Sequence, residues 1–86
     1  QREIAPGLYK LISDMAIEIK GGRRDFSIML QENRERLARI GFKPDYIDIR
    51  SASSLLQPSH EDKELVILGA GFLGKTRLID NIQVQI

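Results

Sequence analysis

Cysteine is absent from this chain of 86 residues, and histidine occurs only once. Without cysteine the protein has no disulfide, no thiolate nucleophile and no cysteine-based metal site, which is compatible with a cytoplasmic location. His60 lies in a polar stretch, and Ser59 beside it lacks the glycines of a nucleophile elbow. We therefore expect a surface role for His60, no catalytic residue and no metal site in this chain.

The chain also lacks an excess of charge of one sign and a long apolar run. Its 13 basic and 12 acidic residues give a formal net charge of +1. Arg34, Arg36 and Arg39 cluster, but Glu32 and Glu35 lie among them, which is typical of a solvated helix face. The near-neutral charge argues against a nucleic-acid partner. The missing apolar run argues against a membrane-spanning segment.

A single domain is expected, because 86 residues with 42% hydrophobic content can bury only one modest core. The chain starts at Gln1, inside a helical pattern, so we expect it to be part of a longer protein. The domain prediction is therefore one unit over residues 1–86.

The first half of the sequence predicts two amphipathic helices. Pro6 is tolerated in the first turn of the first helix, and Gly21 and Gly22 end it. Asp25 is the expected N-cap of the second helix, which ends at Gly41. The short link predicts antiparallel packing. The apolar positions are Ile4, Leu8, Leu11, Ile12, Met15 and Ile19 in the first helix and Phe26, Leu30, Leu37 and Ile40 in the second.

The second half predicts three short strands. Pro44 and Asp45 are expected to break the chain before a half-buried strand over 46–50. A polar loop over 58–63 precedes a buried strand over 64–68, and residues 82–86 alternate as a third strand. The predicted fold class is α+β, with two antiparallel helices on a small three-stranded, mainly antiparallel sheet. The strand order remains open.

The segment Gly69–Thr76 matches the Walker A pattern of nucleotide-binding proteins, G-x-x-x-x-G-K-[ST]. A phosphate loop requires a helix that begins at the Lys-[ST] pair, whereas residues 77–86 have a strand period. We therefore predict that this chain binds no ATP. The glycines are expected to connect two antiparallel strands through 72–75, providing positive φ or room for a neighbour.

Three aspartates could form a catalytic carboxylate pair, but the pattern favours separate roles. Asp45 follows a proline as a turn residue, and Asp48 lies on the exposed face of a strand. Asp80 is predicted on the core side of the last strand, with Lys75, Arg77 or backbone N–H groups as partners. Two interpretations of this polar group stay open. It is either a structural latch of the final hairpin, which we favour, or a basic rim of Lys75 and Arg77 facing an anionic ligand of another domain.

Three runs of the sequence together carry a family resemblance. The runs are Gly41–Arg50, Leu65–Ala70 and Leu73–Asn81. Through them the chain resembles the C-terminal domain of the pantothenate synthetase family, also called pantoate–β-alanine ligases. Arg2, Ala5, Leu8 and Tyr9 also resemble the helix that opens that domain.

This resemblance implies an ATP-dependent ligase that joins pantoate to β-alanine through a pantoyl adenylate, with Mg²⁺ assisting and with AMP and pyrophosphate released. In the family, an N-terminal Rossmann-like domain carries a two-histidine motif and a Ser-Ser-Arg-Asn motif, and it forms the homodimer. Neither motif is in this sequence. The resemblance implies that residues 1–86 are the lid over that active site. The alternative is a small autonomous module that holds nucleic acid or an anionic peptide at the glycine segment.

Overall fold

The computed structural model describes residues 6–59 and 62–86. It contains two helices followed by three strands, the α+β class that the sequence predicts. None of the described helices has the length and apolar character to cross a membrane. The elements are α1 (Gly7–Lys20), α2 (Phe26–Ile40), β1 (Lys43–Ser51), β2 (Glu64–Leu73) and β3 (Thr76–Gln85).

The glycine punctuation of the sequence predicts the helix ends correctly. Helix α1 begins after Pro6, whose carbonyl accepts a hydrogen bond from the Lys10 amide at 3.1 Å. It ends at Gly21, and Gly22 has a φ of 112°. Helix α2 ends at Gly41, where φ is 123° and a side chain would be strained. The predicted apolar positions are buried or partly buried, except Ile4, which lies outside the described residues.

Two details of α2 differ from the prediction. Asp25 occupies the N-cap position, but its side chain makes no capping hydrogen bond; it pairs instead with Arg23 at 2.6 Å. Met29, which the apolar pattern omits, is fully buried and joins Leu37 in the core. The buried amide of Asn33 also faces inward and is satisfied, because it donates to the Met29 carbonyl at 2.8 Å.

The helices pack antiparallel, as the contacts between them show. Arg36 of α2 pairs with Asp14 of α1 at 2.9 Å. Arg23, in the link, joins Glu18 of α1 to Glu32 of α2, with both contacts at 2.8 Å. The two helices therefore run in opposite directions.

The sheet is antiparallel throughout, with the order β1-β2-β3. Two boundaries differ from the prediction. Pro44 and Asp45 do not break the chain: β1 already begins at Lys43, with an irregularity in register between Pro44 and Tyr46. An edge strand such as β1 tolerates proline because one side of it pairs with no neighbour. Strand β2 extends through Leu73, so the glycines at 69 and 71 lie inside a strand and not in a connection.

One face of the sheet packs against the helices, and the other, which we call the open face, does not. The helix-side residues of the central strand include Leu65 and Ile67, which are at most 1% exposed. Gly69 and Gly71 are on this side too, where an added Cβ would lie 3.1 Å from Leu8 and 3.3 Å from the Lys43 carbonyl oxygen. These two glycines therefore give room for close neighbours, while positive φ in the segment is confined to Gly74.

Candidate functional site

The Walker A segment forms a strand, a tight turn and the start of a second strand. Gly69 to Leu73 belong to β2, Gly74 and Lys75 form the turn, and Thr76 begins β3. Strand β2 is central and pairs with both neighbours, so the ladders engage the backbone that a phosphate loop would offer. No helix begins after Gly74. The predicted strand after Gly74 is confirmed, and that the segment binds no ATP stays a prediction.

The turn itself depends on one glycine. Gly74 has a φ of 63°, in the left-handed region that a two-residue hairpin turn requires. Lys75 is exposed beside it, and no ion-pair partner for Lys75 occurs within 6–59 and 62–86. The turn thus holds an unpaired ammonium group at the end of the hairpin.

Arg77, the second predicted rim residue, is held from two sides on the open face. Its Nε and one terminal nitrogen approach the same carboxylate oxygen of Asp45, at 3.0 and 2.9 Å. Its guanidinium carbon lies 5.9 Å from the centre of the Tyr46 ring, within cation–π range. Arg77 belongs to β3 and Asp45 to β1, so the contact reaches across the whole central strand.

The surroundings of this ion pair are basic. The register places Lys43 and Arg77 on either side of Phe72, on the open face. Arg34 of α2 donates to the Asp45 carbonyl oxygen at 3.0 Å. We call the set of Lys43, Lys75, Arg77 and Arg34 around Asp45 the basic end of the sheet. Four cations and one carboxylate leave an excess of positive charge there, although the whole chain has a net charge of only +1.

Of the partners predicted for Asp80, the structure shows a backbone N–H group and neither Lys75 nor Arg77. Asp80 does lie on the helix side with Leu78 and Ile82, as its position in the strand predicts. Its carboxylate accepts from the Asn81 backbone amide at 2.8 Å, whereas Arg77 points to the opposite face and pairs with Asp45. Alternation of side chains along β3 separates the two residues, because positions 77 and 80 differ by an odd number. Asp80 is thus satisfied by backbone alone.

The three candidate aspartates have separate partners, so they do not form a catalytic pair. Asp48 binds the Arg50 side chain at 2.6 Å and the Ile49 amide at 2.9 Å, while Asp45 binds Arg77 and Asp80 binds the Asn81 amide. Over the part of the chain that the structure describes, no group of three or more acidic or histidine side chains could hold a metal ion. His60 lies outside the described residues.

Ser59, the neighbour of His60, is engaged in the loop before β2. Its backbone amide donates to the Asp62 carboxylate at 2.7 Å, and its hydroxyl approaches the same oxygen at 3.3 Å. The hydrogen bond from the Ser59 backbone amide, followed by the one from the Ser51 hydroxyl, lowers the pKa of Asp62. Ser51 is 1% exposed and its hydroxyl lies 3.1 Å from Asp62. Asp62 therefore engages both the Ser51 and the Ser59 hydroxyl groups.

A hollow of about 270 Å³ lies at the opposite end of the sheet from the basic end. It is shallow and open, and the residues that line it include Arg24, Phe26, Pro58, Leu65 and Ile86. The Arg24 guanidinium is already used by two backbone carbonyls, those of Ile19 at 2.7 Å and Arg23 at 2.8 Å. The guanidinium group of this hollow is therefore already engaged by the backbone, which leaves a ligand few polar partners.

Fold and site together define a class: a small α+β domain with a basic end, in which the Walker A segment lies in a β-hairpin. The sequence model of the family described as pantoate-beta-alanine ligase matches residues 1–83. The chain belongs to this family. Similar proteins include the pantothenate synthetases of Azotobacter vinelandii, 45% identical over 86 residues, and of Nitrosococcus oceani, 49% identical over 86 residues.

The chain spans only a part of these relatives. Both alignments cover 100% of the chain but 30% of the relative. The pantothenate synthetase of Pseudomonas fluorescens strain Pf0-1 gives the same shares at 45% identity. The comparisons confirm the family resemblance, and they give no support to an autonomous module for nucleic acid or anionic peptides.

Proposed function

We propose that this chain is the lid domain of an ATP-dependent ligase that condenses pantoate with β-alanine to give pantothenate, AMP and pyrophosphate. The observation that carries the proposal is the family match over residues 1–83. The relatives are more than three times as long as the chain, so the chain corresponds to one part of them. The chain's own contribution is a compact domain with one uncovered sheet face. Its partner is the rest of the same enzyme, which binds pantoate, β-alanine and ATP.

The chemistry of the described residues supports a role in covering and not in catalysis. A pantoyl adenylate is an acyl anhydride that water would hydrolyse, so a domain that closes over it protects the intermediate. Mg²⁺ would neutralise phosphate charge in the intact enzyme, but 6–59 and 62–86 supply no cluster of metal ligands. The nucleotide and its metal therefore belong to the rest of the enzyme in this proposal. The chain alone is expected to be inactive and to bind no ATP.

The cellular setting follows from the same proposal. We propose that the intact enzyme is cytoplasmic and that it forms a homodimer through the part outside this chain. The open face would then be the surface available for closure.

The test is a truncation of the full-length enzyme that removes residues 1–86. We expect pyrophosphate release to continue while pantothenate formation falls, because the adenylate still forms but is lost to water. The ratio of pyrophosphate to pantothenate is the measurement. Continued pyrophosphate release also shows that the truncated enzyme is folded.

The intact enzyme under the same conditions is the control, and it should give a ratio near one. A truncated enzyme that keeps this ratio would contradict the lid role and leave the domain as a scaffold. Adding the separate chain back to the truncated enzyme should lower the ratio if the domain acts by covering the site.

A further inference from the structure

We propose that the ion pair of Arg77 and Asp45 is exchangeable. Asp45 holds Arg77 extended over the open face, and a phosphate group of the nucleotide replaces Asp45 when the domain closes. This inference rests on the proposed lid function and names the residue through which the lid would recognise the nucleotide.

The geometry of the pair suits exchange. Both Arg77 contacts go to one oxygen of Asp45, so the second carboxylate oxygen and one terminal guanidinium nitrogen take no part. The Arg77 side chain is 43% exposed and the Asp45 side chain 37%. Ion pairs with this exposure contribute little to stability, because water competes for both partners. A guanidinium fork matches the spacing of phosphate oxygens, so phosphate is a strong competitor for it.

The Tyr46 ring keeps Arg77 in place during the exchange. The centre of the ring lies 5.9 Å from the guanidinium carbon, and this cation–π interaction does not involve the Asp45 carboxylate. The cross-strand neighbour of Tyr46, Ala70, is fully buried although no helix covers that face, so the side chains of the open face form a packed layer. Arg77 therefore starts from a defined position, which limits the entropy lost when it binds an anion.

Charge at the basic end favours an anion over a neutral ligand. Lys43 lies across Phe72 from Arg77 in the register, Lys75 is exposed in the adjoining turn, and Arg34 holds the backbone of Asp45. Their combined field attracts a phosphate group and leaves Asp45 as the competing anion. Arg77 and Asp45 lie on an exposed sheet face, so the basic end acts only when the rest of the enzyme holds the nucleotide.

A second ion pair on the open face provides the matched control. Arg50 and Asp48 lie at the other end of the same face, 2.6 Å apart and two residues apart in one strand. Their exposures of 38% and 34% resemble those of the Arg77 pair. Neither residue belongs to the basic end, so we expect no role for them in binding the nucleotide.

The experiment measures kcat/KM for ATP in the full-length enzyme with two opposing substitutions. Arg77→Gln should lower kcat/KM for ATP roughly tenfold or more, since a charge-assisted contact is lost. Asp45→Asn should raise it by a few-fold, because the competitor loses its charge while Tyr46 still holds Arg77. The controls Arg50→Gln and Asp48→Asn should leave it within a factor of about two.

The opposite signs separate exchange from a structural role. If the pair only joins β1 to β3, both substitutions should lower activity and the melting temperature together, and that outcome would overturn the proposal. An unchanged kcat/KM in Arg77→Gln would overturn it as well. If Arg77→Gln does not fold, Arg77→Lys and Asp45→Asn decide: the lysine variant should bind ATP more weakly and the asparagine variant more tightly.

The proposal can fail without the proposed function failing. A wild-type enzyme that makes pantothenate, with Asp45→Asn no better for ATP than wild type, refutes the exchange but leaves the ligase intact. A wild-type enzyme that makes no pantothenate from pantoate, β-alanine and ATP refutes the proposed function itself.

Discussion

The two faces of the sheet differ in what packs against them: the helices cover one face, and the open face carries exposed ion pairs. On the helix side, α1 and α2 bury a contiguous apolar cluster that includes Leu11, Ile12 and Ile67, all with no exposed surface. On the open face, neither of the two described helices covers the central strand. The helix side therefore holds most of the buried apolar residues, while the open face carries the ion pairs of Arg77 and Arg50.

The largest difference in stability should come from alanine substitutions at two neighbouring residues of β2 whose side chains point to opposite faces. Ile67→Ala removes a fully buried side chain among the helices and should lower the free energy of unfolding by about 2–5 kcal/mol. Leu68→Ala removes a half-buried side chain from the open face and should cost clearly less. Chemical denaturation of both variants gives the measurement. Equal losses would mean that the open face is as much a part of the core as the helix side.

A smaller effect on stability should come from adding side-chain atoms to each face of the sheet. Gly71→Val places atoms against the Lys43 carbonyl oxygen and Leu37, each 3.3 Å from an added Cβ, and should cost about 1–3 kcal/mol. Ala70→Val enlarges the next residue on the open face, where side chains and not backbone must move. It should cost less, although Ala70 is fully buried. Thermal melts of the pair provide the comparison, and a reversed order would contradict it.

The helix side is also the part of the molecule that the sequence predicts best. Glycines at 21 and 41 end the helices, and spacings of three and four identify most of the buried positions. These signals are local, since capping and periodicity involve residues within one or two turns. The misplaced boundaries, at Pro44 and at the glycine segment, depend on whether a strand is an edge or a central one. That property belongs to the sheet and not to the segment.

The candidate site is predicted only in part, for the same reason. The sequence indicates Lys75 and Arg77 as rim residues, because they are basic and adjoin a turn. It names Arg77 as one of three possible partners of Asp80, beside Lys75 and backbone N–H groups, and it does not foresee that Arg77 pairs with Asp45, which is 32 positions away. Only the pairing of β1 with β2 and of β2 with β3 brings these two residues together. Separate strand predictions with an open order could not contain that contact.

The smallest effect concerns pH and involves two carboxylates among the helices, Asp14 in α1 and Asp25 just before α2. Hydrogen bonds from Arg23 lower the pKa of Asp25, and a hydrogen bond from Arg36, followed by one from Lys10, lowers the pKa of Asp14. Each carboxylate has a lower pKa in the folded chain than in the unfolded chain, so the unfolded state binds more protons in this range. The stability that they contribute is present above about pH 4 and is lost as the pH falls through the lower folded values.

Arg23 gives this pH dependence a direct test, because it bonds Glu18, Asp25 and Glu32 at once. In Arg23→Gln, the pKa of Asp25 should return toward its ordinary value, and the fall in melting temperature between pH 5 and pH 2 should become shallower. Arg39→Gln is the control, since Arg39 is exposed and has no ion pair within 6–59 and 62–86. Its acid profile should match the wild type. These groups are well solvated, so the change in slope should be modest. An Arg23→Gln profile parallel to that of the wild type would contradict the role of Arg23 and leave the acid response to other carboxylates with a lowered pKa, such as Asp14 and Asp62.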